Sequence, residues 1–494
     1  MAGHTLQRRY VSRLVPKNPK ITTVLLLAAA VVNSATLGYD SSMLNGLNIL
    51  PQYKEYFHLN TATTGLNTAA SWIGSILGCF LIQPVPDYFG RKTAILVSAI
   101  ICFVGCIIQS AAQNIVMFVV GRIIVGLGAQ ISSGACPVLI GEILPPSKRG
   151  FVLGFFFSCF YVGSLVAAGI NYRFADISNT WSWRIPSILQ CVPSLLSILI
   201  LPFIPESPRW LLLQGKREEA KEILAVVNGE DDIDNPQLTN LFNNIDAVLT
   251  REKEKFPRNP WIELVSTKAN LRRLGIIISF GVMIELLGNF VISYYLGNML
   301  TLAGITDPTT QLQINVILSC WSLVVAIVGS FLLDIWGRRP QTLTAIVCMI
   351  VSLFIFGGLT KVYGTGQDKS GIYGTIAMLF LFQGFYSIAI TPMTSVYPTE
   401  VLPIKIRNAG IAVFRFLDSG FGLMASFSMS FAMENLGWKF YFINAAYNLV
   451  FLGAVYFLWV ETARVPLEEV LIQERWIMIS TAIESWFAIL GTNG

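Results

Sequence analysis

A short charged cassette occurs twice in this chain, each time between two long apolar stretches. The first copy is Asp87-Tyr-Phe-Gly-Arg-Lys92 and the second is Asp334-Ile-Trp-Gly-Arg-Arg339, so their first residues lie 334 − 87 = 247 positions apart. Two further motif pairs repeat at offsets of 407 − 149 = 258 and 461 − 206 = 255: residues 141–149 with 399–407, and residues 205–209 with 460–464. Similar offsets indicate one duplicated half, as in membrane bundles built from internal repeats.

The composition places this duplicated chain in a lipid bilayer. Of its 494 residues, 54% are hydrophobic and only 13% are charged, which is too little polar surface to cover a globule of this size. Apolar runs of about 20 residues mark membrane-spanning helices. We therefore predict an all-α membrane protein with twelve transmembrane helices in two pseudo-symmetric halves of six. The predicted spans are 22–46, 65–85, 93–112, 115–139, 151–172, 184–204, 272–300, 311–333, 341–360, 373–396, 406–434 and 438–460.

These spans divide the chain into two halves and three polar segments. The predicted divisions are a tail at 1–21, the first half at 22–204, a linker at 205–271, the second half at 272–460 and a tail at 461–494. Lys and Arg of the short loops fall mostly on the side of the basic N-terminal tail, so both tails and the linker are predicted to be cytoplasmic. The first helix is expected to act as an uncleaved signal anchor. The apolar run 472–490 is either an interfacial helix or an artefact of gene prediction.

Several function classes lack their chemistry in this sequence. All eight cysteines fall inside apolar segments, where they behave as small hydrophobic residues rather than as a disulfide or metal framework. The chain has no His-Glu-x-x-His and no G-x-x-x-x-G-K-[ST] motif, which argues against zinc hydrolysis and ATP-driven pumping. We therefore expect no enzymatic activity, no metal and no cofactor. The net charge of +5 is mostly juxtamembrane and indicates no nucleic-acid partner.

The motifs resemble those of the sugar porter family of the major facilitator superfamily. The matching motifs are Asp-x-x-Gly-Arg in both halves, Gly121-Arg122 with Gly126 and Gly128, Pro205-Glu-Ser-Pro-Arg-Trp-Leu211, and Glu400-Val-Leu-Pro-x-x-x-Arg407. The segment Gly288-Asn-Phe-Val-Ile-Ser-Tyr-Tyr-Leu296 is similar to the fungal, lactose-permease-like branch. The resemblance covers about residues 20–470. It implies two halves that rock around a site at the bilayer midplane, often with proton symport.

Asp40 lies deep in the first predicted helix. A carboxylate at that depth costs about 2.5–3.5 kcal/mol on insertion scales, so it should be paired or able to bind a proton. The resemblance suggests Arg122 as its partner. If the pair forms in one state and breaks in another, proton binding follows the transport cycle. The alternative is a permanent structural ion pair.

The repeated motifs supply paired acids and arginines at helix ends. In the family they form a cytoplasmic gating network that biases the outward-open state, and we expect its pairs to form only while the two halves are closed on that side. The alternative is that these residues only orient the helices. The network residues are Asp87, Arg91, Glu142, Arg149, Asp334, Arg338, Glu400 and Arg407.

The positions that bind sugar in the family are altered here. Sugars are held by amides and hydroxyls, with an aromatic face against the ring. By resemblance, Phe157 replaces a Gln or Asn of helix five, Ile284 and Glu285 replace two Gln of helix seven, Phe290 replaces an Asn, and Ser395 replaces a Trp of helix ten. The predicted site is therefore more apolar and more charged than a hexose site.

Other polar residues are candidates for the same site. Asn289 would partly compensate for Phe290, as in the fungal branch. Arg415 and Asp418 lie three positions apart, so they either pair with each other or meet a charged substrate group. Glu285 is either a substrate contact or a tolerated core residue. The remaining candidates, each with a packing role as its alternative, are Tyr294, Tyr295, Gln383, Tyr386 and Asn315.

We therefore predict proton-coupled uptake of a sugar or sugar-like small molecule by alternating access. The expected setting is a monomer in the plasma membrane, with protons, the substrate and lipid as partners. One alternative is transport or export of a non-sugar organic acid or secondary metabolite. A helix-five signature of drug:proton antiporters is absent from residues 151–172, which disfavours drug-type efflux. A second alternative is a non-transporting nutrient receptor, against which the short C-terminal tail argues.

Overall fold

The computed structural model describes residues 12, 14–16, 18–144, 156–228, 235–255, 260–364 and 369–462. Within these ranges the chain forms α-helices and one 3₁₀ turn, with no strand. The first half contains α1 (Pro19–Leu47), α2 (Pro51–Tyr56), α3 (Thr61–Cys79), α4 (Pro84–Phe89), α5 (Arg91–Ser110), α6 (Ile115–Ile143), α7 (Phe160–Phe174), α8 (Trp181–Leu189) and α9 (Cys191–Ile200). The linker contains α10 (Pro208–Leu213), α11 (Arg217–Asn228), α12 (Pro236–Lys255) and α13 (Pro260–Ser266). The second half contains α14 (Lys268–Leu286), α15 (Asn289–Leu302), α16 (Pro308–Trp336), α17 (Arg338–Tyr363), α18 (Lys369–Val401), α19 (Ile404–Leu436) and α20 (Lys439–Leu458).

The predicted all-α membrane fold is confirmed. Ten helical stretches of the described chain are long and apolar enough to cross a bilayer, and they fall on ten of the twelve predicted spans. The helices α3 and α7 occupy the other two predicted spans. The inner face of α3 is polar, with Asn67, Thr68, Ser71 and Ser75 all buried, which lowers its hydropathy.

The seventh predicted span, 272–300, is not one continuous helix but is broken into α14 and α15. The break is at Gly288, whose φ of +108° is a left-handed conformation that favours glycine. A Cβ there would also lie 2.9 Å from Asn444 Oδ1. The break frees the carbonyl of Leu287, and Asn448 Nδ2 donates a hydrogen bond to it at 3.0 Å. Such internal partners are what make a broken helix tolerable in lipid.

Small residues let neighbouring helices of one half approach closely. A Cβ on Gly126 of α6 would lie 2.0 Å from the carbonyl oxygen of Ser71 on α3, so only glycine fits this contact. Close approach of these two helices brings Arg122, one turn earlier on α6, against the polar face of α3. Arg122 Nε donates to the carbonyl of Asn67 at 3.0 Å.

Hydrogen bonds join the two halves deep in the bundle, for example between the hydroxyls of Ser158 and Ser330 (2.9 Å), and at one of its ends. We call the end where α1 begins, at Pro19, the tail face, and the opposite end, where α1 stops at Leu47, the far face. Five hydrogen bonds join the halves toward the far face: Asn45 Nδ2 to Asn315 Oδ1 (3.2 Å) and to Ile292 O (3.4 Å), Asn48 Nδ2 to Tyr294 O (3.3 Å), Gln313 Nε2 to Tyr172 Oη (3.0 Å) and Ser430 Oγ to Thr61 O (2.6 Å). These contacts close the far face.

The linker helices pack at the tail face. Leu211 of α10 and Ile223 of α11 are buried in a small apolar cluster that also takes in Val15 of the N-terminal tail. Both short helices bury an apolar face in this cluster, as amphipathic helices do. The apolar run 472–490 lies outside the described residues.

Candidate functional site

A cavity lies between the two halves at the middle of the bundle. Its volume is about 180 Å³, counted as the space that the centres of water molecules can occupy. On one side its walls come from α1, α3, α6 and residues 157–161 around the start of α7. On the other side they come from α14, α15, α18 and α19. Nine sequence-predicted substrate residues line it: Phe157, Ile284, Glu285, Asn289, Phe290, Tyr294, Tyr386, Arg415 and Asp418.

Asp40 and Arg122 form the buried ion pair that the sequence predicted. Arg122 Nη1 lies 3.1 Å from Asp40 Oδ1, and Nη2 lies 3.2 Å from Oδ2, so the pair is bidentate. Arg122 is completely buried, whereas Asp40 also borders the cavity. Bidentate geometry makes this a strong, charge-assisted contact between α1 and α6. The carboxylate therefore connects the cavity with the interior of the first half.

Two further side chains complete the coordination of Asp40. Ser71 Oγ donates to Oδ2 at 2.8 Å, and Gln190 Nε2 donates to Oδ1 at 2.8 Å. Gln109 Nε2 in turn donates to Gln190 Oε1 at 3.2 Å. Sequence reasoning missed these residues. The signal was available, because a polar side chain inside an apolar span needs a partner.

The second half contributes a charged cluster to the cavity. Arg415 Nη1 lies 3.3 Å from Asp418 Oδ2, so these residues pair with each other while both line the cavity. The Arg415 guanidinium also lies 4.8 Å from the centre of the Phe157 ring, which belongs to the first half. Glu285, on α14, lines the same cavity as Arg415 and Asp418. The cluster therefore holds two carboxyl groups and one guanidinium.

Aromatic rings and unpaired polar atoms form another part of the wall. The rings of Phe290 and Tyr294 stack with centres 4.6 Å apart, and Trp72 lies 6.1 Å from Phe290. Trp72 Nε1 and Asn289 Oδ1 are buried without a hydrogen-bond partner within the described residues. One is a donor and the other an acceptor, and both residues border the cavity. Trp72 was not predicted, because nothing in the sequence distinguishes it from a core aromatic.

Three predicted lining residues lie elsewhere. Tyr295 is turned toward α19, where its hydroxyl donates to the carbonyl of Ser426 at 2.6 Å, because its φ of −125° leaves the helical path. Gln383 sits behind the lining residue Tyr161, whose hydroxyl is 3.4 Å from Gln383 Nε2. Asn315 belongs to the far-face contact. These three side chains are not among the lining residues, and the side chain of Ser395 lies outside the described residues.

The repeated motifs form two similar clusters at the tail face. In the first half, Arg91 Nη2 lies 3.3 Å from Asp87 Oδ1, and Arg91 Nε lies 3.2 Å from Glu142 Oε2. In the second half, Arg338 Nη2 lies 2.8 Å from Glu400 Oε1. The expectation that such pairs need the halves to be closed is wrong for these contacts, because both partners of each pair belong to one half.

Of the remaining residues of the predicted gating network, the structure describes a contact only for Arg407. Arg407 Nε donates to the carbonyl of Leu402 at 3.3 Å. Arg149 and the side chain of Asp334 lie outside the described residues.

A glutamate from the third repeated motif holds each cluster at a helix N-terminus. Glu206 Oε1 accepts the backbone N–H groups of Arg91 at 3.0 Å and Lys92 at 3.1 Å. In the second half Glu461 accepts those of Arg338 at 2.9 Å and Arg339 at 3.0 Å. These carboxylates satisfy donors that the helix itself leaves unpaired. Burial raises the pKa of Glu206, and the backbone donors only partly oppose that shift.

Comparisons with known proteins agree with this architecture. Residues 26–473 match the family described as "Sugar (and other) transporter". The chain is 28% identical to a high-affinity glucose transporter of Kluyveromyces lactis, over 95% of this chain and 88% of that protein. It is 30% identical to a probable polyol transporter of Arabidopsis thaliana, over 89% of this chain and 83% of that protein. It is also 26% identical to an MFS-type transporter, criB, of Aspergillus cristatus, over 89% and 91% of the two chains.

The fold is also similar to that of solved transporters. The xylose transporter XylE of E. coli, in a partially occluded inward-open conformation, superposes with a TM-score of 0.75 over 90% of this chain and 99% of its own, at 20% identity. The likeness covers both halves and supports the same fold. The duplicated motifs, the central cavity and the family match lead to one assignment. The chain belongs to the sugar (and other) transporter family and is a sugar porter of the major facilitator superfamily.

Proposed function

We propose that this sugar porter takes up a sugar or sugar-like small molecule across the plasma membrane together with protons. The observation that carries the proposal is the position of Asp40, which borders the central cavity and is held by a fully buried arginine. A carboxylate placed so can meet both a ligand and a proton. The similarity to a high-affinity glucose transporter and to a protein described as a proton:xylose symporter supports the same function.

The sidedness of the cavity follows from charge. The tail face carries the Arg-rich clusters, including Arg91 and Arg338, and positively charged short loops favour the cytoplasm. We therefore assign the tail face to the cytoplasm. The hydrogen bonds at the far face then close the extracellular side. The cavity wall extends toward the tail face through Ser133 of α6 and Thr394 of α18, which supports access from the cytoplasmic side.

Coupling would use the contrast between a paired and an unpaired Asp40. While Arg122 holds it, the carboxylate has a counter-ion and stays charged. If the contact between α1 and α6 within the first half loosens during the cycle, the same carboxylate can bind a proton, which neutralises it. Substrate and proton would then cross together, since both are bound within one cavity.

A second candidate function is transport of a more apolar metabolite. Phe157, Ile284 and Phe290 present hydrocarbon at positions where sugar porters carry amides, and all three line the cavity. Relatives such as criB are described only as MFS-type transporters, so the family does not restrict the substrate to sugars.

The experiment is uptake of labelled hexoses, pentoses, polyols and amino sugars in yeast that lacks its own hexose transporters. We expect accumulation of at least one of these compounds above its external concentration, and loss of that accumulation when a protonophore is added. Uptake that only equilibrates, with no response to the protonophore, would refute proton coupling. Failure of every compound, with the protein present at the cell surface, would refute the sugar-like substrate and favour the second candidate.

A further inference from the structure

The charges that border the cavity do not balance. Its wall contains Asp40, Glu285, Asp418 and one cation, Arg415, within the described residues. Asp40 is neutralised from behind by Arg122, and Asp418 is neutralised by Arg415 at 3.3 Å. Glu285 is left over. A buried carboxyl group without a counter-ion must be covered by a proton or by a cation from outside.

Arg415 is held where it cannot easily serve both acids. Its guanidinium packs on Phe157 at 4.8 Å and on Phe414 at 5.5 Å, and it already contacts Asp418. Glu285 of α14 lines the same cavity as Arg415 and Asp418 of α19, so the excess carboxyl group belongs to the same wall as the pair. A ligand cation placed beside Glu285 would therefore meet two carboxyl groups against one guanidinium.

The remaining wall fits the rest of such a ligand. The ring of Phe290 and the indole of Trp72 provide faces that attract a cation as well as the apolar side of a sugar ring. The unpaired Trp72 Nε1 donor and Asn289 Oδ1 acceptor suit hydroxyl groups. Hydroxyl-binding atoms, aromatic faces and an excess carboxyl group therefore lie around one space of about 180 Å³.

We propose that the preferred ligand is a polyhydroxylated compound with a protonated amine, and that Glu285 beside Asp418 selects it over neutral and anionic analogues. This inference rests on the proposed function and makes its substrate class specific. The ammonium group supplies the cation that the cavity lacks. A sugar that carries a carboxylate would place a third carboxyl group beside Glu285 and Asp418. Both would repel it and only Arg415 would attract it, so such a sugar is rejected.

The test compares four probes of similar size in the same yeast at pH 5.5: D-glucosamine, N-acetyl-D-glucosamine, D-glucose and D-glucuronate. Each competes with labelled D-glucosamine, and binding to purified protein is measured in parallel. We expect glucosamine to compete at least about tenfold better than glucose or the N-acetyl compound, as for a hydrogen bond to a charged group, and glucuronate not to compete. In Glu285→Gln, the ratio of glucosamine to glucose should fall to below about threefold.

Two variants serve as controls. Glu285→Asp keeps the charge and should retain the preference, while Glu434→Gln changes an exposed glutamate of α19 and should retain it fully. Equal competition by glucosamine and glucose in the wild-type protein, or an unchanged ratio in Glu285→Gln, would overturn the inference. If Glu285→Gln does not reach the membrane, the affinities of purified wild-type protein for the four probes decide. Uptake of glucose without preference for the amine would leave the proposed function standing, whereas uptake of none of the probes would overturn both.

Discussion

Replacing Asp40 by asparagine should uncouple transport from the proton gradient without abolishing movement of the substrate. Asp40 accepts hydrogen bonds from Arg122, Ser71 and Gln190, at distances of 2.8–3.2 Å. An amide keeps the shape but loses the charge and one acceptor. An inward pH gradient of one unit supplies about 1.4 kcal/mol per proton, which corresponds to roughly tenfold accumulation for one proton per substrate. In Asp40→Asn this factor should fall to about one, while exchange of labelled for unlabelled substrate continues.

The same substitution also has a structural cost that must be separated from coupling. Arg122 is fully buried, and breaking a buried ion pair from one side costs about 3–5 kcal/mol because the other charge is left unpaired. The double variant Asp40→Asn/Arg122→Met removes both charges. We expect it to be more stable than the sum of the single changes predicts, with a coupling energy of about 1–3 kcal/mol, and still to lack accumulation.

The assay uses purified protein in vesicles with an imposed pH gradient, and thermal denaturation in detergent for the stability cycle. Asp176→Asn, at an exposed loop residue, is the control and should keep roughly tenfold accumulation. Accumulation that survives in Asp40→Asn would refute the assignment of Asp40 as the coupling residue. Additive destabilisation in the double variant would show instead that the two charges do not stabilise each other.

Three further predictions follow from the site and the helix ends. Because burial raises the pKa of Glu206, ionisation of its carboxyl group lowers the stability of the fold as the pH rises through that raised pKa. Glu206→Gln keeps the acceptor Oε1 and should be at least as stable as the wild type at neutral pH in a thermal melt. Glu206→Ala removes the acceptor and should lose about 0.5–2 kcal/mol. A less stable glutamine variant would contradict this. Gly288→Ala should cost about 1–2 kcal/mol from its positive φ alone and should reduce transport of any substrate; a wild-type melting temperature would show that the break tolerates a side chain. Glucose should be a poor substrate of the wild-type protein. Ile284→Gln restores a hydrogen-bonding amide to the cavity wall and should raise the affinity for glucose roughly tenfold in competition assays. A wild-type affinity for glucose as high as that of ordinary sugar porters would refute the argument.

Much of the fold was predictable because the bilayer leaves few choices. Apolar runs locate helices, and a carboxylate at the depth of Asp40 must find a partner, so the contact with Arg122 could be anticipated from a family resemblance. The break at Gly288 could not, since a glycine in an apolar run is equally compatible with a continuous helix. The same holds for the kink at Tyr295, whose φ of −125° accompanies the contact of its hydroxyl with Ser426 while Tyr294 lines the cavity. The place of Trp72 depends on tertiary contacts that no local pattern encodes, whereas Gln190 could have been suspected as a polar side chain inside an apolar span.

The far-face contacts have a consequence for the conditions under which this protein works. All five hydrogen bonds that join the halves there connect amides, hydroxyls or backbone carbonyls, and none involves an acidic or basic side chain. At about 0.5–1.5 kcal/mol each, together they are worth roughly 2.5–7.5 kcal/mol. Inverting a 1:99 equilibrium takes about 5.5 kcal/mol, so this outer gate is of a strength that ligand binding can overcome. A far-face gate without charges should open equally well in acidic and neutral media and at low and high salt, leaving any response to acidity to the carboxylates inside.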